Sequence, residues 1–247
     1  MTLQAALDGA LKAAAPHLLP FYRRYPYRGP LWLTEVDTRG AISARDRFFF
    51  NRVPKAANST TIAALARASA ERAGETVKSA KWYFQRPLHA SRHTVARIGP
   101  EFFKLTFVRN PYSRTLSAYL DKIVRRAPMS RAFQAWNGGA EPSFAAFCRW
   151  LDAGGLHHDI HWAPQTAILL LPVGDFDLIG RFETLEPDLT RAFQRIFGAP
   201  PDLRREGPRT DAEGGLAAQY DAASQAIVAR LYAADFAAFG YDPAVIG

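Results

Sequence analysis

Two segments concentrate the residues that can do chemistry. In Phe48-Phe49-Phe50-Asn51-Arg52-Val53-Pro54-Lys55-Ala56-Ala57-Asn58-Ser59-Thr60-Thr61, an apolar run ends in a lysine, an amide and three hydroxyls. In Leu105-Thr106-Phe107-Val108-Arg109-Asn110-Pro111-Tyr112-Ser113-Arg114-Thr115-Leu116-Ser117-Ala118-Tyr119, a second apolar run ends in an arginine followed by serines at helical spacing. Each reads as a buried strand entering a helix. A helix N-terminus offers unpaired N–H groups and the positive end of the dipole, so each junction suits a phosphate-like anion. Two of them suit the two ends of one doubly anionic nucleotide.

At the first junction Lys55 supplies a mobile cation, while the segment from Ala56 and Ala57 to Asn58, Ser59 and Thr60 supplies backbone N–H groups and side-chain donors. The plainer reading makes Ser59 or Asn58 an N-cap and Lys55 a surface lysine. At the second, Asn110, Ser113 and Ser117 share one helix face, with Arg109 at the strand end. A guanidinium grips phosphate bidentately. The plainer reading pairs Arg109 with a carboxylate and leaves Ser117 solvated. The nucleoside-triphosphatase signature Gly-x-x-x-x-Gly-Lys-Ser/Thr is absent, and no second acidic motif suits magnesium, so kinase chemistry is the weaker reading.

The two segments together resemble the nucleotide motifs of sulfotransferases that use 3′-phosphoadenosine 5′-phosphosulfate (PAPS), in the branch that sulfates carbohydrates. The Pro-Lys-x-x-x-Ser/Thr turn is similar to that family's 5′-phosphosulfate loop, and Arg-x-Pro-x-x-Arg-x-x-Ser-Ala-Tyr to its 3′-phosphate site. His161-Trp162-Ala163-Pro164-Gln165, Phe176-Asp177-Leu178-Ile179-Gly180-Arg181-Phe182-Glu183-Thr184-Leu185 and the tail from Leu231 to Asp242 add supporting marks in family order. Ala57 departs from the pattern, standing where many members carry glycine, which makes backbone approach there less close.

The resemblance implies PAPS as co-substrate, released as adenosine 3′,5′-bisphosphate, no metal, and a carbohydrate or glycoconjugate acceptor. It places Lys55 at the bridging oxygen of the donor and Arg109 with Ser117 at the 3′-phosphate. Related enzymes carry their base histidine between the two motifs, so His89 is the first choice and His93 the reserve. His161 is the rival, and Glu183 a further candidate whose plainer role is a salt bridge. A neutral imidazole suits proton removal near neutral pH. His157, His158 and His161 form no recognised zinc spacing. A non-catalytic nucleotide- or glycan-binding module and a P-loop-like small-molecule kinase stand as alternatives.

The 247 residues are 48% hydrophobic and 22% charged, enough for a full core. The net charge of +8 favours an anionic partner. Scattered cations and no zinc-finger or RNP-type motif argue against nucleic acid. One cysteine, Cys148, excludes an internal disulfide and fits a reducing compartment. It reads as a small buried apolar residue. Met1 to Ala15 lacks a basic start, and Asp8 and Lys12 interrupt its apolar run, so it reads as an amphipathic helix and not as a signal peptide or span. Animal members of the branch are usually Golgi-tethered; lacking such a span, this chain is expected to be a soluble, bacterial, cytoplasmic form.

The elements that must position these residues alternate. Phe48–Val53 and Phe103–Val108 read as buried parallel strands, Thr60–Ala73 and the stretch after Asn110-Pro111 as helices. Phe176–Ile179 reads as a further strand, Pro187–Phe197 as a helix, and Leu216–Phe239 as one long closing helix. Gln134–Glu141 and Arg204–Gly215 are polar loops; acceptor contacts are expected in 125–141, 154–161 and 204–215. The fold class is α/β, a three-layer P-loop-like fold with a central parallel sheet flanked by helices, and ligands on such sheets bind at the carboxyl ends of the strands. A single domain is expected over 1–247, with a helical extension over 1–40 and the nucleotide core from about residue 47.

Overall fold

The computed structural model describes residues 3–125, 131–202 and 215–246. The chain opens with helices α1 (Leu3–Leu18), α2 (Pro20–Arg24) and α3 (Leu33–Asp37), then a hairpin of strands β1 (Gly40–Ser43) and β2 (Phe48–Asn51). Helices α4 (Asn58–Ala73) and α5 (Arg92–Glu101) precede β3 (Phe103–Val108), which runs into α6 (Pro111–Tyr119). Next come α7 (Arg131–Trp136), α8 (Phe144–Asp152), β4 (Leu178–Arg181) and α9 (Leu185–Phe197). Three short helices close the chain: α10 (Leu216–Gln219), α11 (Ala222–Leu231) and α12 (Ala233–Phe239). The residues cluster into two compact units, one from the chain up to Val108 plus the segment starting at Ile168, the other from Arg109–Ala167 plus the C-terminal stretch.

The first unit is the sheet, in the order β1-β2-β3-β4, with β2, β3 and β4 parallel and β1 antiparallel at the edge. Phe48, Phe49 and Phe50 are all fully buried, as strands covered on both faces must be. Phe48 and Phe50 pack with Ile62 and Leu65 of α4 and Leu189 and Phe193 of α9. Phe49 points the other way and stacks on Phe21 of α2, with ring centroids 5.8 Å apart. That alternation makes the three layers, and each fully buried Phe contributes roughly 1.5–3 kcal/mol relative to exposure. Opposite Phe107 the pairing strand carries Gly180, where a Cβ would lie 2.4 Å from the phenyl ring. Only glycine lets that ring lie against the neighbouring backbone.

The second unit is helical. Asn110 caps α6, its side chain accepting from Tyr112 N at 2.9 Å, and Pro111 takes the first helical position. Every residue of α6 is buried, polar face included. Tyr112, Leu116 and Tyr119 enter an aromatic cluster in which Phe147 touches Tyr119, Phe133, Trp150 and Trp162. Cys148 sits in this cluster, fully buried, and burial pushes its thiol up to about 12.

Several elements differ from their sequence-based expectation. β1 joins the sheet ahead of residue 47, because its partners in register are the three phenylalanines. β2 ends at Asn51, whose side chain accepts from Leu170 N at 2.7 Å and donates to Ile168 O at 3.3 Å. The segment read as a loop from Gln134 begins inside α7, while 203–214 lie outside the described residues. The single closing helix is three helices. Tyr220 is extended (ψ 115°) and donates to Tyr112 O at 2.9 Å, and Tyr232 breaks the next turn and donates to Trp162 O. Two buried hydroxyls reach carbonyls that an uninterrupted helix would not present to them.

Candidate functional site

The Lys55 turn leaves the carboxyl end of β2. Lys55 (φ 68°) and Ala57 (φ 54°) are both left-handed, and Ala56 between them is buried. Left-handed residues within such a turn aim successive backbone N–H groups into a shared concavity, which is how loops cradle oxyanions. Ala57 is the N-cap of α4 and, as an alanine, offers the first turn no side-chain cap. Thr61 Oγ1, in that turn, is buried with no hydrogen-bond partner among the described residues. These features fit a phosphosulfate or phosphate group.

Asn58 does not cap. Its Oδ1 accepts from Arg52 Nε at 2.8 Å, and Arg52 also donates to Thr38 O (3.4 Å) and Lys81 O (3.2 Å). Burial, with Arg39 nearby, pushes the Arg52 guanidinium down to about 10. Ser59 is exposed and Thr60 half-buried. Sequence reasoning gave Arg52 no role, although it lies three residues before Lys55.

His89 lies in the same unit, exposed at the end of the short turn Pro87–His89. Its backbone is held firmly: Gln85 Nε2 donates to His89 O at 2.9 Å, and Leu88 N donates to Asp37 Oδ1 at 2.7 Å. Asp37, fully buried, also accepts from Tyr22 and from Arg86. His93 is exposed in the first turn of α5. Glu183 is exposed in the turn after β4.

Arg109 follows the carboxyl end of β3, 4% exposed, with Nε donating to Ser113 Oγ at 2.9 Å. Gln165 clasps its backbone from both sides, Oε1 accepting from Arg109 N (2.9 Å) and Nε2 donating to Arg109 O (2.8 Å). Ser117 is buried at 2% and not the solvated serine of the plainer reading. Gln165 is itself set by Asp235, which accepts from Gln165 N at 2.7 Å and from Thr166 N at 2.9 Å. Fully buried Arg114, whose charge burial disfavours, donates to Ala163 O (2.8 Å) and Ile160 O (3.3 Å). The His161-Trp162-Ala163-Pro164-Gln165 segment and the tail are thus the frame that positions Arg109.

His161, in this second unit, places Nδ1 2.6 Å from Asp159 Oδ1. Burial raises the Asp159 carboxyl, but hydrogen bonds from His161 and the charge of Lys122 outweigh it and hold the group below its ordinary value. Lys122 lies on a π-helical turn, Leu120–Val124, a geometry that recurs at functional sites. Asp159 is a partner that sequence reasoning missed. His157 and His158 are exposed, and no cluster of three metal-ligating side chains occurs among the described residues.

The sulfotransferase family profile matches residues 39–242, and the chain belongs to that family. Carbohydrate sulfotransferase 14 of Danio rerio is 31% identical over 118 residues, 42% of this chain and 32% of the relative. Carbohydrate sulfotransferase 9 of Homo sapiens is 28% identical over 120 residues, covering 42% and 27%. Carbohydrate sulfotransferase 8 of Mus musculus is 26% identical over 187 residues, covering 66% and 44%. The aligned regions thus cover between about a quarter and just under half of these curated relatives. No solved structure gives a significant match. No helix among the described residues is long and apolar enough to cross a membrane.

Proposed function

We propose that the chain transfers a sulfuryl group from PAPS to a hydroxyl of a carbohydrate or glycoconjugate. The observation that carries this is the Lys55 turn, two left-handed residues at an uncapped helix start on a strand's carboxyl end. In this reading the turn from Lys55 to Thr60 binds the 5′-phosphosulfate, and Arg109 with Ser117 binds the 3′-phosphate. The acceptor oxygen attacks sulfur and the bond from sulfur to the bridging oxygen breaks. The electron pair leaves on the 5′-phosphate, neutralised by Lys55, and the acceptor proton passes to a base. We assign the base to His89, with His161 as the alternative. The names of the relatives support a carbohydrate acceptor, and the single buried cysteine supports a cytoplasmic setting.

The test is transfer of labelled sulfate from PAPS to a panel of glycans, with EDTA present. Transfer that survives EDTA is the expected result. Binding of adenosine 3′,5′-bisphosphate without transfer to any glycan leaves a non-catalytic module, and magnesium-dependent ATP binding in its place leaves a kinase.

A further inference from the structure

The Lys55 turn leaves the carboxyl end of β2, and the opposite end of the sheet holds a concave cluster of cations. The turn joining β1 to β2, the last turns of α4 and α9 and the start of β3 enclose a cavity of about 370 Å³. Arg45, Arg47, Arg72 and Arg195 line it, with Asp46 and Glu101. The cavity thus sits at the amino ends of β2 and β3. β3 has six residues, so about 20 Å separate its two ends.

Most of these charges are matched. Arg45 Nη1 meets Glu75 Oε1 at 3.0 Å, and Glu101 is held by Arg97 at 2.9 Å. Buried Asp46 accepts from the hydroxyls of Ser43 (2.8 Å) and Ser69 (2.6 Å), while Arg45 Nε and Arg72 Nη1 each lie 3.9 Å from it. Arg72 and Arg195 also offset the dipoles of the helices they close. Arg195 covers the Phe103 ring at 5.9 Å, and neither it nor Arg47 has a carboxylate partner among the described residues. Two guanidiniums therefore line one cavity without counter-charge, a repulsion that an entering anion relieves.

Arg47 closes no helix, and its backbone is strained. With φ 55° it is one of three left-handed non-glycine residues among those described, the other two being Lys55 and Ala57 in the candidate phosphosulfate turn. Such strain persists where surrounding bonds enforce it, and it gathers at ligand sites. Here Phe103 N donates to Arg47 O at 2.9 Å, and Asp46 N donates to Ser43 Oγ at 3.1 Å. Glycine would make this turn without strain; arginine adds a guanidinium to the cavity wall. We propose that the cavity is a second anion site, which takes a small diphosphate between Arg47 and Arg195. Guanidinium forks grip phosphoryl oxygens bidentately, and two forks on separate elements suit two linked phosphates. The volume lies at the lower end of small-molecule sites, roughly 300–1,000 Å³. Phe103 lies under Arg195, which leaves a nucleobase no ring to stack on. The site is independent of the sulfotransferase reading.

The experiment is calorimetric titration of the full chain, in magnesium-free buffer, with inorganic pyrophosphate, inorganic phosphate and ADP. Each titration is run with and without saturating adenosine 3′,5′-bisphosphate. Pyrophosphate should bind at least about tenfold more tightly than phosphate, and no less tightly than ADP, whether or not the bisphosphate is present. Arg47→Gly should weaken it by about tenfold while the unfolding temperature stays unchanged or rises, since glycine relieves the left-handed turn. Arg195→Gln should weaken it similarly. Arg28→Gln, which removes an exposed charge that does not line the cavity, should leave it unchanged. No pyrophosphate binding at millimolar concentration overturns the proposal, as does full affinity in Arg47→Gly or an equal loss in Arg28→Gln. Displacement by adenosine 3′,5′-bisphosphate would move the anion to the Lys55 turn, and tighter binding of ADP would make this a nucleotide site; either result also overturns it.

Discussion

Lys55 and Arg109 are both cations at strand ends, yet their surroundings ask different work of them. Arg109 is buried and fixed, with Nε on Ser113 and both backbone groups on Gln165. A fixed fork suits a group that is the same before and after reaction. Arg109→Ala should cost about 1.5–3 kcal/mol in affinity for adenosine 3′,5′-bisphosphate, read by calorimetry, the usual worth of a charged hydrogen bond. Lys55 is half-buried on a left-handed turn, and in the proposed reaction its ammonium faces the charge that grows on the leaving group. Lys55→Ala should therefore lower kcat far more than it weakens bisphosphate binding; a raised KM at normal kcat would make it a binding residue only. The histidines divide similarly. His89→Ala should cut kcat by about 10²–10⁴-fold with bisphosphate binding intact, the usual share of general-base catalysis. His161 has a carboxylate to orient it, and if His161→Ala abolishes turnover while His89→Ala does not, the base belongs to the Asp159–His161 pair. Ala57 carries the cost of a left-handed alanine, about 1–2 kcal/mol, partly offset because glycine in its place loses about 0.5–1 kcal/mol more chain entropy.

At the scale of elements, what can be read from sequence is what local pattern determines. β3 is legible to the residue, since an uninterrupted apolar run is stopped by Arg109, Asn110 and Pro111. The start of α6 is equally legible because its cap chemistry is local. β1 is not, because Gly40-Ala41-Ile42-Ser43 becomes a strand only through pairing with Phe48–Asn51. The three-way break of the C-terminal helix is hidden for the same reason, its cause being carbonyls at Tyr112 and Trp162 far along the chain. Among the candidate site residues, Lys55 and Arg109 announce themselves by motif. Asp37 does not, since its partners Tyr22, Arg86 and Leu88 are 15, 49 and 51 residues away. Asp188 shows how one side chain joins elements: it accepts from Arg181 N at the end of β4 and from Thr184 Oγ1 at the start of α9. Burial raises this carboxyl, but those bonds and Arg191 prevail and hold it below its ordinary value. A group depressed in the folded state adds stability above its unfolded pKa and loses it as pH falls through the folded one. Asp188→Asn should cost about 1 kcal/mol in urea unfolding at pH 7, and the difference from the parent chain should shrink below about pH 4.

For the whole molecule the net charge of +8 sets long-range attraction for any polyanion, so charge alone does not discriminate a nucleotide from a glycan or a nucleic acid. Discrimination has to come from placed groups, and the 3′-phosphate is the clearest case. Adenosine 3′,5′-bisphosphate and 5′-AMP share the base, the ribose and the 5′-phosphate, and differ at the one group assigned to Arg109 and Ser117. A ligand at 100 times its Kd stabilises the native state by about 2.7 kcal/mol. For a chain of this size that amounts to a rise in Tm of roughly 5–10 °C. The bisphosphate should produce that rise without magnesium, and 5′-AMP at the same concentration should produce much less. Arg109→Ala should bring the two nucleotides close to the same small rise, because it removes the charged one of the two contacts assigned to the 3′-phosphate and leaves only Ser117. Screening with salt should reduce both responses while preserving their order, since buried contacts are screened less than exposed ones. Equal rises from the two nucleotides in the unaltered chain would take the 3′-phosphate away from Arg109.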